Sequence, residues 1–172
     1  MSGKVVCVAN RKGGVGKTTV AVVLAQTVQD QFNQSAAVVD VDPQGSATFA
    51  LAGPKLSSKL ESRMLQNVLR SHDKFSSPMP LSRFAWGQVS ALTRQPDIPL
   101  ALVPCSEELW GLEDEIADSA FGKEAQMRTR FRRLLDRLRR EFNVVIVDTP
   151  PGRSFFGREA AKAADIILVP CD

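Results

Sequence analysis

The chain has 172 residues, of which 44% are hydrophobic and 24% are charged, and its formal net charge is +3. This length and apolar content predict one globular domain that spans residues 1–172. No apolar stretch approaches the ~18 residues of a membrane span and no signal peptide opens the chain, so the sequence predicts a cytoplasmic protein without a membrane partner.

Five short apolar runs, rich in Val and Ile, predict β-strands. They do not alternate with polar residues, so the strands are expected to be buried on both faces, as in a parallel sheet that helices cover. The predicted strands are residues 4–9, 36–41, 99–103, 143–148 and 165–169.

Helical stretches separate these runs and predict an α/β fold with a doubly wound, mostly parallel sheet and helices on both faces. The predicted helices are residues 17–32, 57–70, 106–117, 123–142 and 155–163. Residues 71–98 carry several prolines and are the least regular part. We expect an extended connection there with a short helix at 81–93, in which Phe84 and Trp86 are packing residues. A domain boundary is the alternative.

The segment KGGVGKTT lies between the first predicted strand and the first predicted helix. A strand, a glycine-rich turn and a helix are the context of a phosphate-binding loop, because the glycines let successive N–H groups point at one anion. Lys17 is expected to reach the β- and γ-phosphates of a nucleotide, and the Thr18 hydroxyl to bind Mg²⁺. The strict pattern has Gly at position 11, where this chain has Arg11, and a second lysine, Lys12, follows. The predicted nucleotide-binding residues are Lys12, Gly13, Gly14, Val15, Gly16, Lys17, Thr18 and Thr19.

Carboxylates follow two more of the predicted strands. Asp40 and Asp42 flank Val41, and in an extended chain their side chains point in opposite directions, so they cannot share one role. Asp148 ends an apolar strand, where it would hold a metal ion through water. The predicted metal site consists of Thr18, Asp42 and Asp148.

Together these motifs resemble the ParA/MinD family of ATPases. Residues 12–19 are similar to its deviant Walker A box, residues 39–48 (VDVDPQGSAT) to its second acidic motif in the ParA form, and residues 144–152 to its Walker B strand. Residues 164–170 are a weaker fourth match. The resemblance to ParA/Soj-type partition ATPases implies ATP and Mg²⁺ as cofactors, and implies that the family's C-terminal part is lacking.

The family also implies roles for individual residues, with Lys12, Lys17, Asp40 and Asp42 as the catalytic set. Asp42 would position the attacking water, and Asp40 would support the loop or the outer shell of the metal. Lys12 would reach across a homodimer to the partner's nucleotide and complete the site in trans, as an arginine finger does. The family further implies a ParB-like or other activating partner and an association with the nucleoid.

The predicted helix 123–142 is strongly basic, with eight basic minus three acidic residues, a net charge of +5. Its apolar residues recur at helical spacing and form a buried face, which leaves the arginines outside. They would contact DNA phosphates without reading sequence, or form an ordinary solvated face, and both interpretations stay open. The candidate DNA contacts are Arg128, Arg132, Arg133, Arg139 and Arg140.

The sequence therefore predicts a partition or positioning ATPase that dimerises with ATP and segregates plasmid or chromosomal DNA, or another cargo, over nucleoid DNA. One alternative is a MinD-like ATPase that cycles on a membrane, although such a protein needs a terminal amphipathic helix. The other alternative is a nucleotide-binding regulator with little turnover.

Overall fold

A computed structural model describes residues 2–53, 58–71, 86–87, 98–119 and 122–171, with residues 58–60 and 86–87 described by their backbone alone. Six strands form one sheet in the order β3-β4-β2-β5-β1-β6. Only the pairing of β3 with β4 is antiparallel among these strands. The strands are β1 Lys4–Val8, β2 Ala36–Asp40, β3 Trp86–Gly87, β4 Leu100–Val103, β5 Val144–Asp148 and β6 Ile166–Leu168.

Helices cover both faces of this sheet, which confirms the predicted doubly wound α/β fold. Alternate residues of each strand point to opposite faces, so the core divides in two. Helices α1 and α2 pack on one face, and α3 to α6 pack on the other. The helices are α1 Lys17–Phe32, α2 Ser46–Ala52, α3 Leu65–Arg70, α4 Glu108–Ala117, α5 Lys123–Glu141 and α6 Phe155–Ala163, with a 3₁₀ helix at Ser58–Arg63.

The predicted elements differ from the structure in four places. The helix predicted at 57–70 is two helices, because Met64 is extended, with ψ of 136°, and the next N–H donates to the carbonyl of Pro104. Helix α2 was not predicted. The helix predicted at 81–93 is wrong at residues 86–87, which form β3, while Phe84 and the rest of that segment lie outside the described residues. Strand β6 is not buried on both faces, because it is the edge strand of the described sheet, and Ile166 and Ile167 are about half exposed.

The register brings the carboxyl ends of three neighbouring strands to one edge of the sheet. Asp148 at the end of β5 pairs with Val8 on β1 and with Asp40 on β2. The loop that follows β1 and the turn that follows β2 therefore lie on either side of Asp148. This is the edge at which open α/β sheets bind their ligands.

Candidate phosphate-binding site

The loop between β1 and α1 has the backbone that a phosphate cradle needs. Gly14 and Gly16 have φ of 76° and 81°, in the left-handed region that disfavours any residue with a Cβ. Gly16 is also the N-cap of α1 and makes no side-chain cap. The first N–H groups of a helix have no partner within the helix, so an anion at this position can accept them.

Lys17 points back across this loop. Its side chain is buried, and its ammonium donates a hydrogen bond of 3.1 Å to the carbonyl of Lys12. The charge of Lys17 is therefore held inside the loop, whereas Lys12 itself is exposed. Of the other predicted nucleotide-binding residues, Thr18 and Val15 are partly buried and Gly13 and Thr19 are exposed.

Thr18 and Asp148 meet at the foot of the loop, although 130 residues separate them. The Thr18 hydroxyl donates a hydrogen bond of 2.7 Å to Oδ2 of Asp148. Burial, together with the neighbouring carboxylates of Asp40 and Asp42, raises the pKa of Asp148 to about 7. Within the described part of the chain, no group donates a hydrogen bond to the buried Oδ1 of Asp148. A buried acceptor without a donor fits a cation or a cation-bound water beside it.

No cluster of three or more His, Cys, Asp or Glu side chains that could bind a metal by themselves occurs among the described residues. A divalent cation at Thr18 and Asp148 would therefore take its other ligands from water and from a phosphate. This is the usual way in which Mg²⁺ is bound, since it retains several waters and has few protein ligands.

Asp40 and Asp42 are both buried but accept hydrogen bonds from different backbone groups. The carboxylate of Asp40 is fully buried and accepts the N–H groups of Asp42 (3.1 Å) and Thr48 (2.8 Å). Burial raises the pKa of Asp40 to about 6, although these two hydrogen bonds lower it. Asp40 thus holds the turn that carries Asp42 and the first turn of α2. The carboxylate of Asp42 accepts the N–H of Gln44 at 3.0 Å.

Three residues that the sequence did not single out complete this site. The Cys105 thiol donates to the carbonyl of Asp42 (2.9 Å), and the N–H of Cys105 donates to Oγ1 of Thr48 (3.1 Å), so the end of β4 supports the Asp42 turn. Asn10 accepts the N–H of Lys12 at 2.9 Å. Asn10 had a detectable signal, since an Asn two residues before a loop position often bonds that backbone, whereas Thr48 and Cys105 had none.

The five arginines of α5 that are candidate DNA contacts divide into two groups. Arg128 and Arg132 lie near Glu159, whose side chain is buried, at 3.2 and 3.8 Å, and Arg139 pairs with Asp165 at 3.0 Å. Arg133 and Arg140 are exposed and form no ion pair within the described part of the chain. The internal ion pairs reduce the charge that the first group offers to a partner.

A family model with the description AAA domain, AAA_31, matches residues 3–172. The chain belongs to this family. Its relatives include ParA proteins, which confirms the ParA/MinD-type resemblance recognised in the three motifs. Among the described residues, no helix of this AAA_31 chain is long and apolar enough to cross a membrane.

Two curated relatives and one solved structure illustrate the similarity. The chain is 30% identical to the chromosome partitioning protein ParA of Myxococcus xanthus, over 98% of this chain and 52% of that protein. It is 30% identical to the maintenance of carboxysome distribution protein A of Synechococcus elongatus, over 95% of this chain and 56% of that protein. A cobyrinic acid a,c-diamide synthase of Mycobacterium smegmatis, solved with a bound ATP analogue and magnesium, is 28% identical with a TM-score of 0.70, over 98% of this chain and 60% of that one. The chain thus spans about half the length of the curated relatives it matches.

Proposed function

We propose that this chain is the nucleotide-binding part of a ParA-type partition or positioning ATPase, which binds ATP with Mg²⁺ and hydrolyses it to ADP and phosphate. The observation that carries the proposal is the buried Lys17 ammonium inside a loop of left-handed glycines, next to the Thr18–Asp148 pair. Relatives that partition chromosomes or distribute carboxysomes support the partition or positioning role.

Each side chain of the loop has a distinct part in this proposal. The Lys17 ammonium turns from the carbonyl of Lys12 to the β- and γ-phosphate oxygens, and the backbone N–H groups of the loop donate hydrogen bonds to the remaining phosphate oxygens. Thr18 and Asp148 are the residues that would hold Mg²⁺, Thr18 through its hydroxyl and Asp148 through water. When bound, Mg²⁺ neutralises charge that develops on the phosphate oxygens.

Asp42 positions the attacking water in this proposal. Asp42 lies two residues after the end of β2, and Asp148 is the last residue of the neighbouring strand β5. The charge of Asp42 raises the pKa of Asp148, so the two carboxylates influence each other electrostatically. Asp40, Thr48 and Cys105 hold the backbone of the Asp42 turn through hydrogen bonds of 2.8 to 3.1 Å. A fixed carboxylate orients water at no reorganisation cost during the reaction.

Lys12 acts in trans in the proposed active form, a homodimer that ATP holds together. The exposure of Lys12 supports this role, because a side chain that contacts a partner's nucleotide must be accessible to the partner. The dimer would work with a ParB-like or other activating partner and would move over nucleoid DNA. Arg133 and Arg140 are the proposed DNA contacts, and Arg128, Arg132 and Arg139 contribute less because acidic side chains already neutralise them.

Sedimentation velocity with Mg²⁺ and a slowly hydrolysed ATP analogue tests the dimer. The parent protein should become a dimer, and Lys12→Ala should stay a monomer while it still binds the analogue through Lys17. Arg11→Ala is the matched control, since it removes a neighbouring exposed charge from the same loop and should dimerise like the parent. A parent that stays monomeric at saturating analogue would refute the dimer.

An ATPase assay with and without DNA tests the turnover. Nucleotide binding without measurable hydrolysis in either condition would favour the alternative function, a nucleotide-binding regulator.

A further inference from the structure

Asn10 joins the start of the phosphate loop to the exit of the neighbouring strand. Its Oδ1 accepts the N–H of Lys12 at 2.9 Å, and its Nδ2 donates to the carbonyl of Pro170 at 2.7 Å. Asn10 follows β1, and Pro170 follows β6, which pairs with β1. One side-chain amide therefore uses its acceptor on the loop and its donor on the next strand.

The backbone around Asn10 is held on both sides. Ala9 donates its N–H to the carbonyl of Leu168 at 3.0 Å, and the carbonyl of Arg11 accepts the N–H of Gly152 at 3.1 Å. The segment thus contacts the exits of β6 and β5, the two strands that flank β1. The hydrogen bond from the Lys12 N–H to Asn10 extends this set of contacts to the next residue of the loop.

The nucleotide changes what holds the backbone of Lys12. In the present structure its N–H bonds to Asn10 and its carbonyl accepts the ammonium of Lys17. Phosphate oxygens compete for that ammonium, so the hold on the carbonyl weakens when a nucleotide binds. The contact with Asn10 does not use the ammonium of Lys17, so this exchange of partners leaves it in place.

We propose that Asn10 is a positioning residue, which fixes the backbone of Lys12 for its contact in trans and couples this backbone to the chain that leaves β6. The proposal rests on the proposed function, because it assumes that Lys12 reaches a partner's nucleotide. Asn10 itself need not touch the phosphates. Its removal should therefore weaken the dimer more than it weakens nucleotide binding.

Two variants separate the two contacts of Asn10. Asn10→Ala removes both. Asn10→Ser is too short to reach Pro170 but keeps an oxygen that can bond the N–H two residues later, as serine does in turns. Asn67→Ala is the matched control, because it also breaks an amide-to-carbonyl hydrogen bond of 2.9 Å, here to Glu61, on the far side of the sheet from the loop.

Dimerisation and nucleotide affinity are measured on all four proteins, with a slowly hydrolysed ATP analogue and Mg²⁺. For Asn10→Ala we expect about tenfold weaker dimerisation, the effect of losing the hydrogen bond to the Lys12 N–H, with analogue affinity close to that of the parent. Asn10→Ser should recover most of the dimerisation, and Asn67→Ala should match the parent. Equal dimerisation of Asn10→Ala and the parent, or of Asn10→Ser and Asn10→Ala, would overturn the role of Asn10.

Amide hydrogen exchange of the nucleotide-free monomer provides a second measurement that does not depend on a dimer. Asn10→Ala should speed the exchange of peptides that cover residues 10–14 and 168–171, and Asn10→Ser should speed only the second. If the parent does not dimerise, the proposed function fails at Lys12, whereas unchanged exchange in Asn10→Ala refutes the coupling itself.

Discussion

Replacement of Asp148 by Asn is expected to stabilise the nucleotide-free protein and to remove its response to Mg²⁺. Asp148 is fully buried, lies close to two other carboxylates and has one oxygen without a hydrogen-bond donor in the described part of the chain. Asn has the same shape, carries no charge and can keep the hydrogen bond to Thr18. The charge of Asp148 is therefore a cost to the fold unless a cation compensates it.

The pKa of Asp148 gives the size of this cost. Burial, with help from Asp40 and Asp42, raises the pKa from 3.8 to about 7. At about 1.4 kcal/mol per pH unit, this corresponds to about 4 kcal/mol of unfolding free energy. Folded Asp148 retains its proton to a higher pH than it does in the unfolded chain, so the contribution of Asp148 to the parent's stability is complete below pH 3.8 and falls until about pH 7. Above that pH the cost is constant.

Urea denaturation of the parent and of Asp148→Asn, at several pH values between 4.5 and 8, measures the difference. Without nucleotide, the free energy of unfolding of the variant should rise relative to that of the parent by about 1.4 kcal/mol per pH unit, and the difference should be largest near pH 7. Mg²⁺ with ATP should stabilise the parent by mass action and should stabilise the variant much less. Asp136→Asn is the matched control, since it makes the same change on an exposed residue of α5 and should follow the parent.

A variant that is less stable than the parent at pH 8 without nucleotide would refute the reasoning. It would mean that the Asp148 carboxylate is stabilised in the folded protein rather than strained. A variant that responds to Mg²⁺ as the parent does would separate Asp148 from the metal site, whatever its stability.

Three further variants, two single and one double, test the other parts of the site and the basic helix. Lys17→Ala should abolish nucleotide binding, because it removes the charge that faces the β- and γ-phosphates, and near-parental affinity in a fluorescence titration would contradict the loop assignment. Asp42→Ala should bind ATP but hydrolyse it at least about tenfold more slowly in a phosphate-release assay, and parental turnover would move the water-positioning role to another carboxylate. Arg133→Gln with Arg140→Gln should weaken DNA binding for every sequence and lower the salt dependence by about two phosphate contacts. Unchanged DNA binding would favour the alternative interpretation, in which these arginines form an ordinary solvated face.

The sequence predicted the loop and most of the secondary structure because both depend on local properties. Helix α1 has the predicted bounds, Lys17–Phe32, and the five predicted strands are present within about one residue at each end. Gly14 and Gly16 take the left-handed backbone that a phosphate loop requires. A residue's own conformational preference and the spacing of apolar side chains decide these features.

Helix α2 and strand β3 were not predicted because residues of other elements stabilise them. The Thr48 N–H at the start of α2 bonds to the carboxylate of Asp40, which lies on another element. Strand β3 has two described residues and exists through its pairing with β4. Neither element has an apolar pattern long enough to be recognised in the chain alone.

The sequence by itself determined the α/β fold, the glycine-rich loop between β1 and α1 and the carboxylates that follow the strands. Only the tertiary structure brought Asp148 to Thr18 and linked Asn10 to Pro170. It also joined the segment after β4 to the Asp42 turn and paired three arginines of α5 with acidic side chains. The physical reason is that glycine conformation and apolar periodicity are properties of neighbouring residues. Contacts across 26 to 160 residues, by contrast, depend on strand register and helix packing, which the whole core determines together.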